Sequence, residues 1–313
     1  MLAKIKQTVI KQTVKLLVPA GYWNARRKAR VLASHKKVAD FWNPIIESYY
    51  HGKIEKWYLE PKKQLESKKV IWQYWGQGLD EEELPEIIQI CFGSVDNNKG
   101  DYQVIRLTDE TIPEYIDLPD FVWEKRNNPQ FTRTFFSDLL RLSLLATYGG
   151  VWLDATILLT GPLPATYENL DFFMFQRSNE EHNRTYWENV YAYYFGWDSC
   201  FKVRMLSSVI FAQKDSVVIS ALLDLLLYFW KTQNAVPDYF CFQILFNELM
   251  ETKLADKNCP IVNDCIPHIL QTKANGTYDY ISVEEVLKLT TIHKMAYFND
   301  RAMEKLKVML KLS

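Results

Sequence analysis

The chain has 313 residues, 37 Lys and Arg against 38 Asp and Glu, and 14% aromatic side chains. That balance excludes a disordered chain and a general nucleic-acid-binding surface, while the length suffices to bury one large α/β core. The five cysteines (Cys91, Cys200, Cys241, Cys259, Cys265) are odd in number, scattered and without metal-ligand spacing, which fits a reducing, cytoplasmic setting.

Charge is unevenly distributed. Before Asp40 there are ten Lys and Arg and no acidic residue, so the rest of the chain is net acidic. Residues Leu2 to Val18 set Leu2, Ile5, Val9 and Leu16 against Lys4, Lys11 and Lys15, a stretch too short and too charged to span a bilayer. It fits equally a basic amphipathic helix on an anionic membrane surface and an ordinary helix packed on the domain. A further helical stretch covers Val38 to Tyr50. Residues 1–66 therefore read as a basic helical extension, 67–298 as the main domain, and 299–313 as a C-terminal amphipathic helix.

Lys69 to Gly76 (KVIWQYWG) has the composition of a first strand. Strands of an α/β sheet present ligand-binding groups at their carboxyl ends. There Trp72 and Trp75 would offer flat faces for stacking, and Gln73 an amide edge. A helix over Glu82 to Ser94, with Pro85 in its first turns, and a strand over Asp101 to Leu107 complete a parallel βαβ unit.

Phe135 to Tyr148 repeats apolar residues at helical spacing, with Phe136, Leu140, Leu144 and Thr147 on one face. Asp138 and Arg141 are three apart, hence neighbours on one helical surface. Gly149 and Gly150 stop the helix, and VWLDATILL from Val151 reads as one buried strand. Asp154 and Thr156 then alternate onto the same face at its end. Charged groups are rarely buried without partners, so Asp138, Arg141 and Asp154 suggest a site. On spacing alone, an exposed ion pair beside a strand end has even odds with it.

Strands follow at Phe172 to Gln176 and Ser207 to Gln213. Between them, Tyr186, Trp187, Tyr191, Tyr193 and Tyr194 suit either a carbohydrate surface or packing between helices. Val217 to Trp230 is a strongly apolar core helix. Pro237-Asp238-Tyr239-Phe240 opens another, running to about Met250, with Asp238 reading first as its cap. Near the end, His293 and Lys294 form a short pair suited to metal and phosphate respectively.

The string S-D-x-x-R-x-x-x-L-x-x-Y-G-G-x-W-x-D-x-T, from Ser137 to Thr156, resembles the sugar-nucleotide-binding region of DXD-type glycosyltransferases. These include the yeast mannosyltransferase-like family, the clostridial glucosylating toxins and the bacterial capsular polysaccharide synthesis glycosyltransferases. Weaker similarity runs from about Lys68 to Lys294. The resemblance implies a GT-A-like α/β domain, with a mixed, mostly parallel sheet flanked by helices. It implies a retaining enzyme that moves a hexose from UDP-glucose or UDP-galactose to an undecaprenyl-diphosphate-linked saccharide at the inner face of the cell membrane. In that scheme Trp72, Gln73 and Trp75 hold uridine, and Asp138 and Arg141 grip the sugar, with Tyr148 in the same binding set. Asp154, Thr156 and His293 place a divalent metal, Mn2+ or Mg2+. Lys294 offsets charge on the leaving diphosphate, and Asp238 faces the reacting sugar. One departure stands out: the second aspartate of the DXD pattern is Thr156, a weaker ligand for a hard cation. A non-catalytic saccharide-binding subunit and a metal-dependent nucleotide-sugar hydrolase are the rival functions.

Overall fold

The computed structural model describes residues 20–191, 194–296 and 298–311; the proposed membrane segment Leu2 to Val18 lies outside them, as does Tyr193. The described chain begins with helix α1 (Ala20–Tyr50), then β1 (Val70–Tyr74), α2 (Glu86–Asn98) and β2 (Gln103–Leu107). Next come α3 (Asp120–Lys125), α4 (Arg133–Tyr148), β3 (Gly150–Leu153), β4 (Ile157–Leu159), β5 (Phe172–Gln176), α5 (Arg184–Val190) and β6 (Met205–Ala212). The last elements are α6 (Val217–Thr232), α7 (Cys241–Glu251), α8 (Ile269–Ala274), α9 (Val283–Leu289), β7 (Ile292–Lys294) and α10 (Asp300–Leu310).

Five strands form the central sheet in the order β2-β1-β3-β6-β5. β1 pairs parallel with both β2 and β3, whereas β6 pairs antiparallel with β3 and β5. Four strands thus run one way and β6 alone runs the other, the expected mixed, mostly parallel sheet. The β1-α2-β2 unit is parallel as its sequence implied. β1, β5 and β6 are buried along their whole length, which explains why their sequences are mostly apolar rather than alternating.

The helix α1 is tied into the main core. Trp42 is fully buried and its Nε1 donates to Cys241 O at 3.0 Å, while Tyr49 Oη donates to Asp224 of α6 at 2.8 Å. A second apolar cluster joins Ile87 and Ile88 of α2 to Leu158, Leu270 and Leu306. Among the described residues no helix is long and apolar enough to cross a membrane.

One expected element is two. The run VWLDATILL is broken by a turn at Asp154-Ala155-Thr156, closed by Ile157 N donating to Asp154 O at 2.9 Å. β3 before the turn belongs to the central sheet, and β4 after it pairs antiparallel with β7 in a separate two-stranded sheet. Apolar composition could not reveal the break, because both halves are buried.

Candidate active site

The turn from α4 into β3 needs both of its glycines. Gly149 has φ +74° and Gly150 φ +101°, and a Cβ on Gly150 would stand 2.6 Å from Val70 O. This reversal lays α4 antiparallel to β3. The amino-terminal half of the helix, with Asp138 and Arg141, is thereby returned to the carboxyl end of the strand, where Asp154 lies.

There the three charged groups meet. Arg141 Nη1 lies 3.0 Å from Asp138 Oδ1, and Nη2 lies 3.2 Å from Asp154 Oδ1. The guanidinium also donates to Ser207 O at 2.7 Å and to Ser137 O at 3.1 Å. Only 3% of its side chain is exposed. β6 supplies Ser207 and Ser208, because its amino end runs past the carboxyl end of β3, and Asp154 N donates to Ser208 O at 2.9 Å.

The small sheet brings the fourth group. β7 places Lys294 opposite Ile157, and its Nζ reaches Asp154 Oδ2 at 3.1 Å and Thr156 Oγ1 at 2.6 Å. Trp152 Nε1 donates to Asp154 Oδ1 at 2.8 Å. Burial works against a charge on Asp154, but Lys294, then Arg141, hold its carboxyl well below the ordinary carboxylate range. Asp138 is the reverse case: burial dominates, Arg141 offsets only part of it, and the carboxyl is pushed up to about 7.

These groups line a cavity of about 600 Å³. Trp75, just past the end of β1, forms part of its wall. Tyr191, Tyr194 and Tyr239 add aromatic faces, and Tyr239 is largely exposed. Arg133, at the start of α4, stands at the rim, where Asp109 pairs with it at 3.5 Å and more closely with Arg126 at 2.7 Å.

Several expected residues lie elsewhere. Trp72 is at the middle of β1, fully buried, with Nε1 donating to Gly149 O at 3.0 Å and its ring against Tyr148. Gln73 is equally buried on the other face of the strand, where it accepts from Arg106 Nε at 3.0 Å. Helices cover both faces of a central strand, so its residues reach the ligand edge only at and beyond its end, as Tyr74 and Trp75 do. Tyr148 is ten residues after Asp138, about 15 Å along the helix, and donates to Tyr115 O at 2.7 Å at the opposite edge of the sheet.

His293 points away from Lys294, as neighbours in a strand do. Its ring is fully buried with Nε2 at 2.9 Å from Thr160 Oγ1, and burial lowers its pKa to about 3. Asp238 is outside the cavity wall as well. It accepts from Phe240 N at 2.9 Å and from Ser34 Oγ at 2.5 Å, so it fixes the turn ahead of α7 and ties that turn to α1.

Other groups in the cavity gave no local signal. His268 lines it, with Nδ1 2.9 Å from Asp264 O; a carbonyl acceptor assigns the proton to Nδ1 and leaves Nε2 as acceptor. Burial first, and Lys294 and Arg177 in addition, bring its pKa down to about 3. Gln243 and Gln271 also face the cavity, from α7 and α8. Each looks in sequence like an ordinary helix residue.

A divalent metal does not fit this donor set. Among the described residues no three His, Cys, Asp or Glu are grouped to hold a metal ion. Asp154 has each oxygen facing a cation or an N–H donor, Thr156 accepts from Lys294, and His293 is turned away. Hard cations need several free oxygen ligands.

Solved structures similar to the chain include two glycosyltransferases. The first is titled PaToxG glycosyltransferase, with 14% identity, TM-score 0.36, and coverage of 90% of this chain and 96% of that one. The second, a glycosyltransferase involved in glycosylation of the major capsid of PBCV-1, has 13% identity, TM-score 0.38, and coverage of 77% and 98%. No curated protein matches. The profile of the family described as capsular polysaccharide synthesis protein matches residues 23–312, nearly the whole described chain, and the protein belongs to that family.

Proposed function

We propose that the protein is a glycosyltransferase that moves a hexose from a nucleotide sugar, UDP-linked, to an undecaprenyl-diphosphate-linked saccharide during capsule synthesis. The observation that carries this reading is Asp154, ionised between Arg141 and Lys294 at the carboxyl end of the central strands, in a cavity sized for a nucleotide sugar. The geometry supports the following division of labour. Trp75 is the accessible ring for the base. Asp138 accepts from sugar hydroxyls, and Arg141 fixes both carboxylates. Lys294 and Arg133 are the cations for the diphosphate. Tyr191 and Tyr239 give flat faces on which an acceptor sugar ring can pack.

Positioning and electrostatic stabilisation of the leaving diphosphate would supply most of the rate, because the groups are held before substrate arrives. The test is a screen of nucleotide sugars with lipid-linked and short soluble saccharides, read by mass spectrometry. A product heavier by one hexose supports the reading; binding without turnover by every donor and acceptor pair rejects it.

The basic residues ahead of Asp40 support docking on an anionic leaflet at the cytoplasmic face, worth on the order of 1 kcal/mol per near-surface Lys or Arg. Deleting Met1 to Val18 should weaken binding to anionic vesicles and slow transfer to lipid-linked acceptor, while transfer to a soluble acceptor persists. Full vesicle binding by the truncated protein would reject the docking role.

A further inference from the structure

The resemblance implies a metal, yet the cation at Asp154 is already part of the chain. We infer that Lys294, with Arg141, stands in place of the divalent ion, so that the enzyme binds its donor diphosphate without a resident metal. This rests on the nucleotide-sugar reading above.

The two departures from a two-carboxylate site explain one another. A second aspartate at position 156 would leave two negative charges at the strand end, a need that a divalent ion meets. Here position 156 is Thr, and Lys294 Nζ bridges its hydroxyl at 2.6 Å and Asp154 Oδ2 at 3.1 Å. One carboxylate and one ammonium balance each other. A divalent ion entering between Lys294 and Arg141 would meet two fixed positive charges and a single carboxylate.

The ammonium is also held in register. Lys294 pairs with Ile157 across the β4–β7 ladder, and Met295 N donates to Thr156 O at 2.8 Å. The turn carrying Asp154 and Thr156 and the strand carrying Lys294 are therefore one unit. Lys294, Arg141 and Arg133 line the cavity with the carboxyls of Asp138 and Asp154, and Asp109 beside Arg133 pairs more closely with Arg126, so cations outnumber carboxyls by one and favour an anionic ligand. Nζ has three donors and a 22% exposed side chain, so it can turn toward a phosphate oxygen while Arg141 still pairs with Asp154.

During transfer the C1–O bond to the diphosphate breaks with its electron pair on the leaving oxygen. The acceptor oxygen bonds C1, and its proton passes to an oxygen of the leaving diphosphate. Lys294 offsets the charge that develops there, the role a metal would otherwise take.

The experiment is calorimetric titration of the full chain with UDP, in chelator and in Mn2+, together with an electron paramagnetic resonance titration of Mn2+. Wild type should bind UDP equally in both conditions and leave the free Mn2+ signal unchanged. Lys294→Ala should lose about tenfold to a hundredfold in chelator, the value of a charge-assisted hydrogen bond, and regain part of it with Mn2+. Thr156→Asp combined with Lys294→Gln should acquire Mn2+ binding, and Lys294→Gln alone decides the matter if Lys294→Ala does not fold. Wild-type binding of UDP only with Mn2+, wild-type affinity in Lys294→Ala or Lys294→Gln, or no Mn2+ binding by Thr156→Asp combined with Lys294→Gln would each overturn the inference. Failure of wild type to bind UDP in either condition would instead remove the nucleotide-sugar reading, and this inference with it.

Discussion

Arg177 and Arg141 are both buried arginines that meet aspartate just beyond or beside a strand end, and they are built to opposite ends. Arg177 places four of its five donors in one closed set: Nε and Nη2 on the two oxygens of Asp264 at 2.8 and 2.9 Å, Nη1 on Gly196 O, and Nη2 also on Tyr194 O. Phe195 lies 4.5 Å from its guanidinium, and neither partner of the pair is exposed at all. Arg141 instead divides itself between two aspartates on different elements, and Asp154 keeps 23% of its side chain open to the cavity. The closed pair fastens the segment after β5 to the loop before α8. The open cluster leaves charge facing a ligand. Burial alone does not mark a functional ion pair; an opening beside it does.

The largest expected effect breaks the closed pair. Removing one partner leaves an uncompensated buried charge, which costs about 3–5 kcal/mol. Arg177→Met or Asp264→Ala should therefore lower unfolding stability by that order in urea. The double replacement Arg177→Met with Asp264→Leu should recover much of the loss, because an apolar pair of similar size suits the same space. A single-variant cost below about 1 kcal/mol would show that Arg177 is not the structural member of the comparison.

The open cluster should answer the other way. Asp154→Asn keeps the size of the side chain and the Trp152 contact but removes the charge between Arg141 and Lys294. Transfer should fall by about a hundredfold to a thousandfold, the scale for losing one preorganised electrostatic group. The urea midpoint should shift far less than for Arg177→Met. Wild-type turnover in Asp154→Asn would take the carboxylate out of the site.

Local patterns carried much of the architecture into the sequence. The strand at Phe172–Gln176 and the parallel β1-α2-β2 unit are visible because apolar runs and helical periodicity report burial within a few residues. The cluster of Asp138, Arg141 and Asp154 was legible for a related reason: one helix, one glycine turn and one strand deliver it within seventeen residues. Arg177 and Asp264 are 87 positions apart, so nothing local announces them. His268 and Gln243 are silent for the same reason. Trp72 misled because alternation along β1 does not reveal that helices cover both faces. His293 and Lys294 are adjacent in sequence, and the pleat of β7 sends one into the core and the other to the cavity.

The smallest expected effect sharpens the open cluster from within, through Asp138. Its carboxyl is pushed up to about 7 by burial, which Arg141 only partly offsets. An unfolded Asp titrates near 3.9, so between those values the folded chain holds a proton that the unfolded chain has released. Asp138 therefore adds stability as pH falls from about 7 toward 4, and adds none above 7. Sugar binding should run the opposite way, because the ionised carboxylate is the stronger acceptor for hydroxyl groups. The affinity for nucleotide sugar relative to free nucleotide should rise about fivefold as pH climbs through 7, the difference between a charged and a neutral hydrogen bond. Asp138→Asn should flatten that rise while leaving free UDP binding near the wild-type value. Titrating both ligands into both proteins from pH 6 to 8 checks it. Equal losses for UDP and UDP-sugar in Asp138→Asn, or an unchanged pH slope, would place Asp138 with Arg177 and Asp264 among the groups that only hold the fold.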